Sequence, residues 1–247
     1  MVQDNPDRMI DRMYEAALIP DKWPQILDDL SAVAGAVGAT LISSDMNDFR
    51  YVSSPGFGGF MADFLAGGWT QHNTRLPALL NARHAGFVVE EDVFTPDEIE
   101  NNKMIREFLR PRDLGWATAT AFTVPTGDTL VVTIERRFDK GPVPRSAVAA
   151  LDGLRPHLGR AALMSARLQL ERVKATVTAL NLLGLPAAVL SRSHRVVAAN
   201  DLLEALIPRV LTDRRERVML ADPQADRLLL KALARPHRVT HRKLTRD

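Results

Sequence analysis

From Pro144 to about Leu183 the sequence offers no strand pattern: apolar residues recur at helical spacing throughout. Within this stretch Leu163, Ala166, Leu170, Val173, Val177 and Leu180 follow one another at alternating intervals of three and four, the spacing of a heptad seam. A chain with such a segment must build its other elements before and after one long helix, or two helices in line. Pro156 has no N–H to donate and clashes with the preceding turn, so a kink or break is expected in the first half. The seam needs a partner: a second copy of the helix, which makes it a dimerisation surface, or the chain's own domain.

Ahead of the long helix, two amphipathic helices are expected over Pro6 to Leu18 and Asp21 to Ala36. Trp23, Ile26, Leu27, Leu30 and Val33 form the apolar stripe of the second. "ATLISSD" and "FRYVSS" read as two strands around the turn "DMND". The glycine-rich "PGFGG" then leads into the helix "FMADFLAGGW". "GFVVEED" reads as a strand, and Thr95 with Glu98 three residues on reads as a capping box opening "TPDEIENNKMIREFLRP". Ala117 to Val124 and Thr129 to Arg136 make a long hairpin around "PTGD". After the long helix, Ala187 to Leu190 and Arg195 to Ala199 form a second hairpin through "SRSH", Asn200 offers a helix N-cap, and "DLLEALIP" closes at Pro208. Strands that never alternate singly with helices exclude a doubly wound parallel sheet. The fold class is α+β: an antiparallel sheet with flanking helices, a long linker helix and a partial second module. The expected divisions are residues 1–143, 144–183 and 184–247.

The 247 residues, 46% of them hydrophobic, suffice for proper cores, and no run approaches the roughly 18 apolar residues of a membrane span. With no signal peptide in "MVQDNPDRMIDRMYEAA", a cytoplasmic location is expected. The absence of cysteine excludes disulfides, thiol nucleophiles and cysteine-held metals. The net charge of +2 is unevenly placed: residues 209–247 hold eleven Lys or Arg against five Asp or Glu. The remainder is therefore net acidic, so only this tail could meet nucleic acid.

No residues assemble into a catalytic pattern. "SPGFGG" lacks the Lys and Ser or Thr of a phosphate loop, and its glycines read as turn residues. His237 and His241 have helical metal spacing, but Pro236 and flanking basic residues favour a solvated tail. His157 reads as a helix-face histidine. Glu90, Glu91, Asp92, Glu98 and Glu100 read as solvated acids without a converging partner. No cofactor or metal is expected. Phe60, Phe64, Trp69, Trp116 and Phe122 come from different elements and could converge, either as core or as the lining of a small-molecule pocket.

"MYEAALIPDKWPQILDDLSAVAGAVGATLISSD" resembles the opening of bacterial LuxR-type transcriptional regulators, in which a Y-x-A-A helix and a W-P helix lead into a GAF-like or PAS-like sensor domain. "EFLRPRDLGWATATAF", "IERRFDKGPVPRSAVAALDGLRPHLGRAALMSARL" and "LPAAVLSRSHRVVAANDLLEAL" are similar to the same family in the same order, the last resembling the first hairpin of a PAS-like module. The family ends in a helix-turn-helix domain. "LTDRRERVMLA" begins like one, but no glycine turn, first helix or recognition helix follows. "FLAGGWTQHNTRLPALL" also lacks the Tyr and Asp-Pro of the acyl-homoserine-lactone receptors.

The resemblance implies the sensory and dimerisation part of a LuxR-type regulator, lacking its helix-turn-helix, non-catalytic, homodimeric and open to a small-molecule effector. Its basic tail implies at most weak, sequence-independent DNA binding. An intact regulator that uses that tail on DNA is the alternative, and a small-molecule enzyme a distant one.

Overall fold

The computed structural model describes residues 6–44, 49–123, 129–190, 194–207, 211–213 and 218–233. The turns "DMND" and "PTGD", Pro208 and the histidine pair His237 and His241 lie outside the described residues, as do most of "SRSH" and half of the basic tail. The chain divides into two compact units within one helix, between Gln169 and Leu170.

The first unit opens with α1 (Pro6–Leu18) and α2 (Trp23–Val33), the latter entered through a short 3-10 turn at Pro20–Lys22. The strands β1 (Gly38–Ser44) and β2 (Phe49–Ser53) follow, then α3 (Gly58–Ala66) and α4 (Arg75–Ala82). Next come the two-residue β3 (Val88–Val89), a 3-10 turn at Glu90–Asp92, α5 (Pro96–Asn101) and a π-helical turn at Ile105–Leu109. The unit is completed by β4 (Leu114–Thr123), β5 (Thr129–Arg137) and most of α6 (Arg145–Leu182). The five strands form one antiparallel sheet in the order β2-β1-β5-β4-β3. The capping box opening α5 is present: Thr95 Oγ1 accepts from the Glu98 N–H, and the Glu98 carboxylate accepts from the Thr95 N–H. The α+β class read from the sequence is thus the architecture seen.

Each face of the sheet carries its own helical layer. On one face Leu130, Val132 and Ile134 of β5 pack with the stripe of α2 and with Leu151, Leu154 and Leu158 of α6. Tyr14 of α1 and His157 of α6 are hydrogen-bonded at 3.1 Å, and Trp23 Nε1 donates to Ser165 Oγ at 3.3 Å, which ties both early helices to the late one. The other face is covered by α3, α4, α5 and the π-helical turn. Two expectations change here. The helix runs unbroken from Arg145 to Leu182 with Pro156 inside it. Its first half is no linker: Val148, Leu151, Leu154, Leu158 and Ala161 belong to the core of the first unit, so the expected break at 143/144 lies inside a packed body. One helix, α4, was not legible as such, because "RLPALLNA" carries a proline and too few apolar positions for a clear stripe.

In the second unit β6 (Ala188–Leu190) and β7 (Val196–Ala199) form an antiparallel hairpin with a bulge at Val189/Leu190, followed by α7 (Asp201–Glu204). β8 (Leu211–Asp213) pairs with β9 (Val218–Leu220), and α8 (Pro223–Leu233) follows. Asn200 caps α7 as its sequence position suggests: its Oδ1 accepts from the Leu203 and Ala187 N–H groups, and its Nδ2 donates to the Val177 and Leu185 carbonyls.

Candidate functional site

The alternation of β4 is the local cause of the site. In "ATATAF" the threonines and alanines occupy opposite faces, because successive side chains of a strand point to opposite sides. Thr118 and Thr120 are buried and donate to the Val88 and Gly86 carbonyls. Ala117 and Ala119 turn to the other face and lie beside Glu135 and Thr133 of β5. With only methyl groups on that part of β4, the α3–α4–α5 layer cannot close onto the sheet. A cavity of about 300 Å³ remains between them, of the size of a small-ligand site.

Its walls are chiefly apolar: Ile42, Val131 and Ala119 from the sheet, Phe60 and Phe64 from α3, and Leu79 from α4. One charged cluster interrupts them, with Thr70, Asn73 and Thr133 as the uncharged polar residues of the lining. Arg75, in the first turn of α4, places Nη2 2.6 Å from Glu90 Oε1 and Nη1 3.0 Å from Glu135 Oε2. Its Nη2 also donates to the Gly115 carbonyl at 3.1 Å. Asn73 sets the start of α4, its Oδ1 accepting from the Arg75 and Leu76 N–H groups. Glu90 Oε2 accepts the Ala117 N–H at 2.9 Å, and Glu135 Oε1 accepts from Thr133 Oγ1 at 3.1 Å. The carboxylate side chains are only 4% and 5% exposed.

Burial, the strongest influence, pushes the Glu90 carboxyl above the ordinary glutamate range, and nearby Glu135 acts the same way. Arg75 and the Ala117 N–H pull it down without reversing the shift. For Arg75 burial works toward a lower pKa, but Glu90 and Glu135 together outweigh it, so the guanidinium is held charged. Among the described residues no group of three or more His, Cys, Asp or Glu converges to hold a metal.

The five aromatic candidates do not share one cavity. Phe60 and Phe64 line it. Trp69 is set behind the lining, its ring 5.3 Å from that of Phe108. Trp116 follows the bulge at 114/116; it stacks on Phe138 and donates its Nε1–H to the Phe138 carbonyl. Phe122 lies on the opposite face: it pairs with Leu130, packs with the α6 side of the core and carries the Arg155 guanidinium 4.7 Å from its ring centre. A Cβ on Gly159 of α6 would stand 2.8 Å from its ring, so the glycine admits it. Ala117 and Ala119 take the cavity face of β4, so the period of two turns Phe122 away from it, and the bulge at 114/116 sets Trp116 against Phe138.

Glu90 corrects a second expectation. It is buried against Arg75, not solvated, whereas the adjacent Glu91 is exposed. Nothing local distinguishes the two acids; the signal was the lone Arg75 beside an otherwise apolar "LPALL", which needs buried carboxylates if α4 packs on the sheet. Of the seam residues on α6, Leu163 and Ala166 are exposed, Leu170, Val173 and Leu180 are half-buried, and Val177 is buried within the second unit.

No protein-family model and no curated protein matches the chain. Solved structures do. The VqsR LBD domain from Pseudomonas aeruginosa superposes with a TM-score of 0.52 at 13% identity, covering 66% of this chain and 96% of that one. The N-acylhomoserine lactone dependent LuxR family transcription factor CepR2 from Burkholderia cenocepacia gives 0.48 at 13% identity over 66% and 98% of the two chains. Escherichia coli SdiA gives 0.48 at 12% over 73% and 83%. Among the described residues no helix is long and apolar enough to cross a membrane. Over the 66% of the chain that superposes, the fold is that of the VqsR LBD domain.

Proposed function

We propose that this chain is the sensory portion of a LuxR-type transcriptional regulator, non-catalytic, in which the cavity under α3 and α4 receives a small-molecule effector and α6 supplies a homodimer contact. The observation that carries the reading is the cavity itself: about 300 Å³, walled by apolar side chains, with one buried charged group, in a chain whose fold is that of a ligand-binding domain. The same strand serves both layers. Val131, Thr133 and Glu135 of β5 face the cavity, and Leu130, Val132 and Ile134 face α2 and α6. An effector that moves β5 by a fraction of an ångström repacks the contact with α6, and effector affinity differs between the two packings.

The test is a thermal-shift screen of small amphiphilic molecules on the full chain, repeated on Ala119→Phe, which fills the cavity from the sheet side. A ligand at 100 times its Kd stabilises by about 2.7 kcal/mol. Compounds that stabilise the wild type and not a folded Ala119→Phe support the reading. Compounds that stabilise both alike place binding elsewhere and refute it.

A further inference from the structure

The charged group in the cavity is unbalanced. Arg75 is the single basic residue lining it among the described residues, and it faces two carboxylates, Glu90 and Glu135, that are almost fully buried. With all three ionised the site holds one surplus negative charge among walls that are mostly Val, Leu, Ile and Phe, where it is costly to hold. The acceptors are also unequally used. Glu135 receives three hydrogen bonds, two from Arg75 Nη1 and one from Thr133 Oγ1. Glu90 Oε2 receives the Ala117 N–H, whereas the buried Glu90 Oε1 makes its ion-pair contact with Arg75 and accepts no aligned hydrogen bond. Arg75 Nε is likewise buried without an acceptor.

We propose that the cavity takes an organic cation: an apolar body lying over Ala117, Ala119 and Val131, with a protonated amine at the Glu90–Glu135 end. This rests on the sensory reading above and names the chemistry of its effector. An ammonium brings three donors and no acceptor, so it adds an aligned donor to Glu90 Oε1, which has only its ion-pair contact with Arg75, and cancels the surplus charge. A carboxylate head would add a second uncompensated negative charge. A neutral amide head could use Glu90 Oε1 and Arg75 Nε together but would leave the surplus in place, and it is the rival to be separated. Burial raises the Glu90 pKa and an ammonium favours the ionised carboxylate, so binding of the amine weakens toward acid. The charged groups facing Glu90 are Arg75 from α4 and Glu135 from β5.

The experiment titrates the full chain by calorimetry with octylamine, octanamide and octanoate, which share a body and differ in head charge. The expected order is octylamine tightest, by about tenfold over octanamide, with octanoate weakest. Repeated toward acid pH, the titration should show the amine weakening more than octanamide. Glu90→Gln keeps the Arg75–Glu135 pair and removes the surplus charge, and there the amine should lose its lead over octanamide while octanamide affinity is retained. Octanamide or octanoate binding as tightly as octylamine overturns the cation proposal and leaves the sensory reading standing. No binding by any of the three, with Ala119→Phe also unaffected in the wider screen, overturns both.

Discussion

Glu135 and Arg136 are neighbours on β5 and serve opposite layers of the domain: the Glu135 carboxylate takes Nη1 of Arg75 beneath the cavity, while Arg136 Nη1 donates to the Ala34 and Gly35 carbonyls at the end of α2. The strand's period of two thus fixes a charge in each layer from consecutive positions. Arg136 also donates through Nε to Gly141 and through Nη2 to Lys140. It thereby closes the C-terminal carbonyls of α2 and the turn leading to α6 with one side chain.

Arg136→Met should accordingly destabilise the protein by about 2 kcal/mol, since hydrogen bonds from a charged donor contribute about 1.5–3 kcal/mol and this group is partly solvated. Urea unfolding should show a lower midpoint with an unchanged slope. A midpoint equal to wild type would show that water replaces all four contacts without loss.

Two of the three acids of the Glu90–Asp92 turn, Glu90 and Asp92, should act oppositely with pH. Burial raises the Glu90 pKa, so between its unfolded and folded values the folded state holds the extra proton and stability falls as pH rises, with the full penalty above the folded pKa. The Arg145 hydrogen bond leads in lowering the Asp92 pKa, with the Val89 N–H assisting, so its contribution is present above the ordinary aspartate range and is lost as pH falls through the lowered value. Unfolding free energies measured from about pH 3 to 8 for wild type, Glu90→Gln and Asp92→Asn separate the two. The first variant should remove the loss on raising pH, and the second should reduce the loss on acidification. Opposite signs would invert the assignment of burial at these positions.

Much of the frame was legible because it rests on local rules. The α1 bounds, the Thr95 capping box, the β4–β5 hairpin and the Asn200 cap follow from periodicity and from short-range hydrogen bonding. The site was less so. Phe60 and Phe64 were found by chemistry, but the feature that makes room is the small residues at 117 and 119, and smallness reads as nothing until the facing layer is known. The buried triad joins residues 75, 90 and 135, on three elements; each looks like an ordinary surface charge in its own window. Long-range pairing, not propensity, decides such groups.

Asn200 makes four hydrogen bonds that join the end of α6, the start of the β6 hairpin and the first turn of α7. Asn200→Ala removes all four side-chain hydrogen bonds, although the Leu203 N–H keeps its bond to the Asn200 carbonyl, and should cost the second unit about 2 kcal/mol. Because these contacts lie within residues 170–247, limited proteolysis should nick that unit sooner while the first stays protected. Equal protection of both units in the variant would mean the junction is not what holds the second one.

The proposed dimer makes a last prediction. On α6, Leu163 is 37% exposed and the adjacent Met164 41% exposed, and Leu170, Val173 and Leu180 are half-buried at heptad spacing. A left-handed pair of helices would cover these positions, because a repeat of 3.5 keeps one stripe facing its partner along the whole contact. Val177, buried within its own unit, contributes nothing to such a seam, so the contact is shorter than six positions and the dimer should dissociate on dilution. Sedimentation of the wild type should show a concentration-dependent dimer, and Val173→Asp, which places a charge at the middle of the seam, should sediment as a monomer with an unchanged circular dichroism spectrum. A wild type that is monomeric at micromolar concentration would sink the α6 dimer.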